Sequence, residues 1–387
     1  LDIHVIYTGG YQNGLNSLPN ANAGIKAFRK VDFVWGAAPF FDSSRQYCDI
    51  VLPIATWWEK GNIAWSVNAE TVYWADRIME PLYESKPEGY VAEELAKRLG
   101  LDPTTVNTMT DAERTYHSFA GAIKMVDQAT AAYEPLFTIT QEDIDELGVE
   151  GEPQEGAITI AEFKKKGCYK TQRSIGDALT YRPFAAFIED PASNPVATAS
   201  GKFEIHSATL SAVVTSLGYS MIPPIAKWQI GDPEQGAGTQ TDEYPLLLWT
   251  PHSLRRAHTV NDNVVSLREA FPQECFMSTV DAEARGIKNG DLVLMSSPHG
   301  RVLRPAKVLA SIVPGAVALQ DGGWIRIDEE TGIDLGGDPN ILQAPKASGQ
   351  ASQSWTGTLV QVEKYDGPLT LEPDKYTPIV MPLGMEE

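Results

Sequence analysis

The densest set of side chains able to do chemistry is a ten-residue stretch, Thr250-Pro251-His252-Ser253-Leu254-Arg255-Arg256-Ala257-His258-Thr259, just after the apolar run that ends at Trp249. Two guanidiniums supply forked donors, and two imidazoles and three hydroxyls supply further polar contacts. That set suits a phosphate or pyrophosphate. The chain carries 31 Lys and Arg against 51 Asp and Glu, a net charge of −20, so the stretch is a local positive patch on an acidic background. A solvated basic turn accounts for the same residues equally well, and both readings stay open at this point.

Other candidates carry less. A turn with Gly9, Gly10, Asn13, Gly14 and Asn16 follows the run Ile3 to Tyr7. Turns after parallel strands lie at the carboxyl edge of a sheet, where open α/β folds bind ligands. No GxGxxG is present, and an ordinary surface loop is the default. Lys60, shortly after Asp49-Ile50-Val51-Leu52-Pro53, is placed to reach a ligand phosphate, though most such lysines are only exposed. Cys48 opens an apolar run and reads as a structural thiol. The six histidines (His4, His117, His206, His252, His258, His299) form no HExxH or H-x-x-x-H pair, which argues against metal ligation. Asp42, Asp49 and the run Asp328-Glu329-Glu330 read as solvated carboxylates in so acidic a chain.

The elements that would position these residues fall into three stretches. From 1 to 56, apolar runs at Ile3 to Tyr7, Asp32 to Trp35 and Asp49 to Leu52 alternate with a helical stretch, Asn22 to Lys30. That is the pattern of a parallel α/β sheet. From 57 to 242 the pattern is mixed, with helices predicted over Gly89 to Leu99, Asp111 to Ala131 and Ala161 to Lys166, and Asp111 as an N-cap. From 243 to 387, short apolar runs (Leu246 to Trp249, Leu292 to Met295, Val302 to Val308, Ala316 to Leu319, Leu359 to Val362) separated by Gly-containing turns predict a small barrel or sandwich.

Composition narrows the classes. The 387 residues allow two or three domains, and 43% hydrophobic with 21% charged residues is the globular range. The net charge repels phosphate backbones, so nucleic acid is not expected as a partner. No apolar run reaches the roughly 18 residues of a membrane span. Three separated cysteines with no C-x-x-C build neither a zinc ribbon nor an iron–sulfur cluster from this chain alone. The chain begins at Leu1 inside a predicted strand and reads as a piece of something longer.

Four motifs in order, Asp49-Ile-Val-Leu-Pro followed by Glu59, Leu95-Ala-Lys-Arg-Leu-Gly100, Asp281-Ala-Glu-Ala-Arg-Gly-Ile-Lys-Asn-Gly-Asp291 and Val313-Pro-Gly-Ala-Val-Ala-Leu319, resemble the molybdopterin oxidoreductases of the dimethyl sulfoxide reductase family. Thr198-Ala-Ser-Gly-Lys-Phe-Glu-Ile-His206, Arg255 and Arg256 before His258, and the stretch Gly349 to Lys364 are similar to the catalytic A-subunit branch of anaerobic dimethyl sulfoxide reductases. The resemblance spans nearly the whole chain and corresponds to the carboxyl-terminal half of such a subunit.

The resemblance implies a fold of α/β plus β: part of a parallel α/β cofactor domain (1–56), a mixed α+β substrate-side segment (57–242), and a six-stranded double-psi-like barrel (243–387). It implies molybdenum held by two molybdopterin guanine dinucleotides. Cofactor contacts are then expected from Gly9, Gly10, Tyr11, Asn13, Ala37, Ala38 and Lys60 in the first stretches. In the barrel they are expected from Thr250, His252, Ser253, Arg255, Arg256, His258, Thr259, Trp324 and Asn340, with Glu88 a weaker match. In this reading Arg255 and Arg256 neutralise pyrophosphate, the histidines and Ser253 donate to pterin or phosphate oxygens, and Asn340 reads a pterin edge.

The expected activity is reduction of dimethyl sulfoxide or related S- and N-oxides by oxygen-atom transfer, as in anaerobic respiration. No catalytic residue and no metal ligand is expected in this chain, which alone should be inactive. The expected partners are an amino-terminal half with its [4Fe-4S] cluster, an iron–sulfur electron-transfer subunit and a membrane anchor subunit, with an exported, membrane-associated location. Nitrate reductase or formate dehydrogenase branches of the family, or a non-catalytic nucleotide-binding module, are the alternatives.

Overall fold

The computed structural model describes residues 2–9, 14–65, 70–127, 132–171, 182–218, 224–225, 227, 240–344 and 357–368. The chain falls into two compact units, Leu1–Val51 with Pro195–Glu387, and Leu52–Asn194. Residues 1–51 therefore cluster with the barrel instead of standing as a piece of their own. No helix among the described residues is long and apolar enough to cross a membrane.

Strands β1 (Val5–Gly9), β2 (Phe33–Ala38) and β3 (Ile50–Pro53) form a sheet in the order β1-β2-β3, with β1 and β2 parallel and Gly9 level with Ala37. The connecting helix, Ala21–Phe28, starts at Asn20, whose side chain accepts from Ala23 N–H. The helix buries Ala21 and Ile25 in the core that also holds the barrel's interior side chains.

In the unit Leu52–Asn194, β4 (Asn62–Trp65), β5 (Thr71–Ala75) and β10 (Cys168–Lys170) make one small sheet. The pairs β6 (Ile123–Asp127) with β7 (Ala132–Pro135) and β8 (Phe137–Thr138) with β9 (Ile158–Thr159) make two more. Its core is aromatic: Phe119, Phe137 and Phe163 are fully buried, with centroids of successive pairs 4.8–5.0 Å apart. The helix predicted over 111–131 ends at Ala120 because Gly121 closes it and the chain turns into β6. Its N-cap is Thr110, not Asp111; Thr110 and Glu113 complete the reciprocal capping box that the Asp111 assignment lacked.

The barrel is closed by six strands in the order β11-β15-β12-β14-β13-β16: β11 (Leu246–Trp249), β12 (Cys275–Ser278), β13 (Leu292–Ser297), β14 (Gly300–Leu309), β15 (Ala316–Leu319) and β16 (Leu359–Lys364). Two pairs are parallel, β11 with β15 and β12 with β14, and the remaining four junctions are antiparallel. Alternation decides what points inward. Leu246 and Leu248, Val293 and Met295, and Val360 and Val362 fill the interior, while Leu247 and Trp249 face out.

Candidate functional site

The loop leaving β11 folds over the barrel end and meets the turn after β15. Asp321 N–H donates to Pro251 O at 3.0 Å, and Arg256 Nη2 donates to Asp321 O at 2.6 Å. Gly322 is required at this crossing: its φ is +78°, and a Cβ there would lie 1.8 Å from His258 O. Trp324 pins the far end of the loop, its indole Nε1–H donating to Thr259 O at 2.8 Å. Ser253 Oγ accepts from Arg255 N–H at 3.3 Å and is buried, while Thr250 and Thr259 are half-buried.

The two arginines do not lie on the surface; their side chains are buried on either side of Asp262. Arg255 Nη2 and Arg256 Nη1 each lie 2.8 Å from Asp262 Oδ1, and Asp262 Oδ2 accepts from Trp324 N–H at 2.9 Å. Arg256 is saturated on its outer nitrogens, because Nη2 also donates to Gln273 Oε1 at 2.6 Å. Gln273 in turn donates to Gln320 O and Gly337 O. Arg256 thus ties Asp262, Gln273 and the Asp321 backbone together through its two outer nitrogens. Its Nε is buried with no hydrogen-bond partner, and in Arg255 both Nε and Nη1 are so.

The electrostatics around Arg255 are unbalanced. Burial pushes its guanidinium down to about 10; Asp262 opposes the fall, and Arg256, Arg268 and Arg304 add to it. Arg326 is lowered in the same way, by burial and then by Arg268 and Arg304. Asp262 would be raised by its burial, but Arg256 and Arg255 outweigh that and hold it below the usual carboxylate range. Asp334 and Asp338 go the other way, pushed up by burial. Arg255, Arg256 and Arg304 are buried together with Asp262, Asp334 and Asp338, and Arg268 and Arg326 are half-buried. A buried guanidinium with unpartnered nitrogens is costly unless an anion enters.

Asp334 is the hub of the adjoining loop: its oxygens accept from the N–H groups of Arg326, Gly336, Gly337 and Asp338 at 2.7–3.0 Å. Arg304, fully buried, ties that loop to β12 through Gln273 O and Leu335 O, each at 2.7 Å. Asn340, expected to read a ligand edge, has its amide Nδ2 donating to Asn16 O, and Asn16 Nδ2 donates to Gly323 O at 2.6 Å. These bonds stitch residues 14–17 to the barrel loops.

The remaining sequence candidates are spread out. Gly9 ends β1, while Gly10, Tyr11 and Asn13 lie outside the described residues. Ala37 and Ala38 are buried at the end of β2, and Ala37 O accepts from Arg45 Nη2 at 3.3 Å. Lys60 belongs to the unit Leu52–Asn194, where its Nζ pairs with Glu88 Oε2 at 2.9 Å. Cys48 is half-buried, its thiol pushed up to about 11 by burial, which suits the structural reading. His252 and His258 are exposed and both point at Asp321.

Sequence reasoning missed Asp262, Gln273, Arg268, Arg326 and Asp321, because they come from four separate segments brought together only by barrel closure. It also missed the loop Asp42-Ser43-Ser44-Arg45. There Ser43 Oγ accepts from Ile325 N–H and Ser44 Oγ from Leu15 N–H, with the buried pair Arg45–Asp42 at 3.1 Å beneath them. A polar quartet directly after a strand was the available signal.

Residues 246–355 match the molybdopterin dinucleotide binding domain, and residues 1–98 match the molybdopterin oxidoreductase family. Dimethyl sulfoxide reductase DmsA of Escherichia coli (strain K12) is 33% identical over 83% of this chain and 36% of its own length. Trimethylamine-N-oxide reductase of Haemophilus influenzae is 30% identical over 95% of this chain and 42% of its own. The chain thus spans roughly two fifths of these relatives. Among solved structures, acetylene hydratase from Pelobacter acetylenicus superposes with a TM-score of 0.60 at 20% identity, covering 94% of this chain and 44% of that one, a likeness of fold. The matched pair of domains, the closed barrel and the relatives agree: this chain belongs to the molybdopterin oxidoreductase family, and its barrel is the domain that binds the molybdopterin dinucleotide with its molybdenum.

Proposed function

We propose that this chain is the dinucleotide-holding part of a molybdenum oxidoreductase that reduces dimethyl sulfoxide or a related S- or N-oxide. The observation that carries the reading is Arg255. It is buried, and two of its nitrogens, Nε and Nη1, lack partners. The pyrophosphate of a dinucleotide is the anion such a site fits, accepting forked donors where no water reaches. Bound, the group supplies two-electron oxygen-atom transfer: oxide, two electrons and two protons give the reduced sulfide or amine and water.

The chain's own residues bind and orient. Arg255 offers its free Nε and Nη1, and Arg256 with Asp262 holds the Arg255 guanidinium in place. His252, Ser253 and His258 stand beside it as additional donors, and Trp324 fixes the loop that carries them. Iron–sulfur centres with an electron-transfer subunit, a membrane anchor subunit and an exported, membrane-associated site of action complete the proposal. The similarity to dimethyl sulfoxide reductases supports a catalytic subunit of a larger enzyme, and the partners and location rest on the sequence resemblance alone.

The test is Arg255→Ala in the intact enzyme. Loss of charge-assisted bonds worth about 1.5–3 kcal/mol weakens binding roughly ten- to a hundredfold. Molybdenum and guanine content of the purified protein should fall while the barrel stays folded. Full occupancy would remove Arg255 as the anchor. Arg256→Ala should instead destabilise the fold, since its partners are all internal.

A further inference from the structure

Asp338 is a buried group at the same barrel end with a partner missing, and its chemistry is opposite to that of Arg255. The residue is 0% exposed. Its Oδ1 accepts from Asn340 N–H at 3.0 Å and so caps the turn Pro339–Leu342, while Oδ2 is buried with no hydrogen-bond partner. Asp334 shows the contrast, because both of its oxygens are taken by backbone N–H groups at 2.7–3.0 Å. Capping needs one oxygen, and a buried acceptor left over is costly. Burial pushes the Asp338 carboxyl well above the usual carboxylate range, against the pull of the Asn340 N–H.

The loop that carries Asp338 is tied to the arginine site. Gly337 O, the carbonyl just before it, accepts from Gln273 Nε2 at 2.9 Å, and Gln273 Oε1 accepts from Arg256 Nη2 at 2.6 Å. The approach is close enough to require glycine: Gly337 has φ +92°, and a Cβ there would lie 2.6 Å from Gln273 Cγ. Asp338 N–H donates to Asp334 Oδ2 at 2.8 Å, which fixes the backbone that aims the carboxyl. The unpartnered atoms gathered here are thus donors on Arg255 and Arg256 and acceptors on Asp321 and Asp338, of which Asp338 is the fully buried one. A phosphate answers the donors but repels a carboxyl. The acceptor is answered by an uncharged part of the ligand that carries N–H.

We propose that Asp338 Oδ2 accepts from the exocyclic amino group of the dinucleotide, the N–H donor of the 2-amino-4-oxopyrimidine ring that pterin and guanine share. The inference rests on the cofactor reading and deepens it: Arg255 takes the charged link of the ligand, and Asp338 recognises a base. A buried group that hydrogen-bonds a ligand N–H rejects the analogue lacking it, because the group is then left unpaired. Asp338 is in this sense a specificity-determining residue.

Calorimetric titration of the 387-residue chain tests this with two pairs of diphosphates, the members of each differing only at the amino position: guanosine and inosine diphosphate, and 6-hydroxymethylpterin diphosphate and its lumazine counterpart. The amino form should bind about tenfold tighter in one pair, and the pair that shows it tells guanine from pterin. Asp338→Asn keeps the oxygen that caps Asn340 and puts an amide NH2 where Oδ2 was, so the preference should vanish while the melting temperature of the empty chain holds. Asp338→Ala should lose the preference and also melt lower. A residue that only capped the turn would give another pattern, with Asp338→Asn behaving as native in both readouts. Equal binding of both forms by the native chain, or a preference that survives in Asp338→Asn, would overturn the proposal and leave Arg255 as the anchor. Failure of every diphosphate to bind the native chain would instead remove the cofactor reading, and this proposal with it.

Discussion

The two compact units handle charge in opposite ways. The unit built on the barrel buries Arg45, Arg255, Arg256, Arg304, Asp262, Asp334 and Asp338. The unit Leu52–Asn194 buries an aromatic cluster and keeps most of its charges on helix surfaces, as in the pairs Glu94–Arg98 and Glu162–Lys166. Hydrophobic burial alone would stabilise either unit more cheaply than buried ion pairs do. Buried charge that does not improve stability calls for another reason, and a polar ligand supplies one. The aromatic unit needs no such explanation.

The sharpest way to break this contrast is Asp262→Ala, which leaves Arg255 and Arg256 buried without their carboxylate. The expected loss is about 3–5 kcal/mol, measured by urea unfolding. The pH dependence follows from the same residue. Asp262 titrates below its unfolded value, so its contribution is complete above about pH 4 and disappears as pH falls through the folded pKa. Hydrogen exchange in residues 246–262 should accelerate in that acid range in the native chain and be insensitive to it in Asp262→Asn. An Asp262→Ala loss under 1 kcal/mol would mean the buried pairs are dispensable.

In the aromatic unit the matching change is Phe163→Leu, which keeps an apolar side chain against Phe119, Phe137 and Trp74. About 1–1.5 kcal/mol is expected, because volume is nearly conserved and no polar group is orphaned. A loss as large as that of Asp262→Ala would make packing, not charge, the more sensitive element.

A smaller step is Thr140→Ala. Thr140 Oγ1 accepts from Asp143 N–H at 3.1 Å while Asp143 Oδ2 accepts from Thr140 N–H at 2.8 Å, a reciprocal cap on helix Gln141–Leu147. Removing it should cost about 1 kcal/mol. Retention of full stability would show that the helix is held by Ile144 in the core alone.

The same contrast explains what could be read from sequence. Short apolar runs separated by Gly-containing turns gave five of the barrel strands at nearly their observed limits. The sixth, Cys275–Ser278, escaped because its apolar run is only three residues long and no Gly-containing turn marks it off. At the site, Arg255 and His258 were visible as a cluster because they are adjacent in the chain. The burial of Arg255 and Arg256 and the unequal partnering of their guanidiniums were not visible. Those depend on Asp262, Gln273 and Asp321, whose proximity is a product of barrel closure and leaves no trace in local spacing. Asn340 entered only through the family resemblance, and its partner, Asn16, lies 324 residues away.

The smallest effect expected is for Glu162→Gln. The Glu162 carboxylate accepts from Lys166 Nζ at 2.6 Å one helical turn away, a favourable orientation for an i,i+4 pair. Both side chains are about half exposed, so water screens the charges, and ordering two long side chains offsets most of the attraction. Glu162 also lies in the first turn of its helix, where a negative charge gains a few tenths of a kcal/mol from the dipole. The sum should stay within about 0.5 kcal/mol and should shrink further at 1 M salt, where screening acts within about 3 Å. Urea midpoints of the native and variant chains at low and high salt provide the check. If this exposed pair proved worth as much as the Thr140 cap, charge would stabilise the aromatic unit too, and the division between a unit that buries charge for a ligand and one that wears it for solubility would fail.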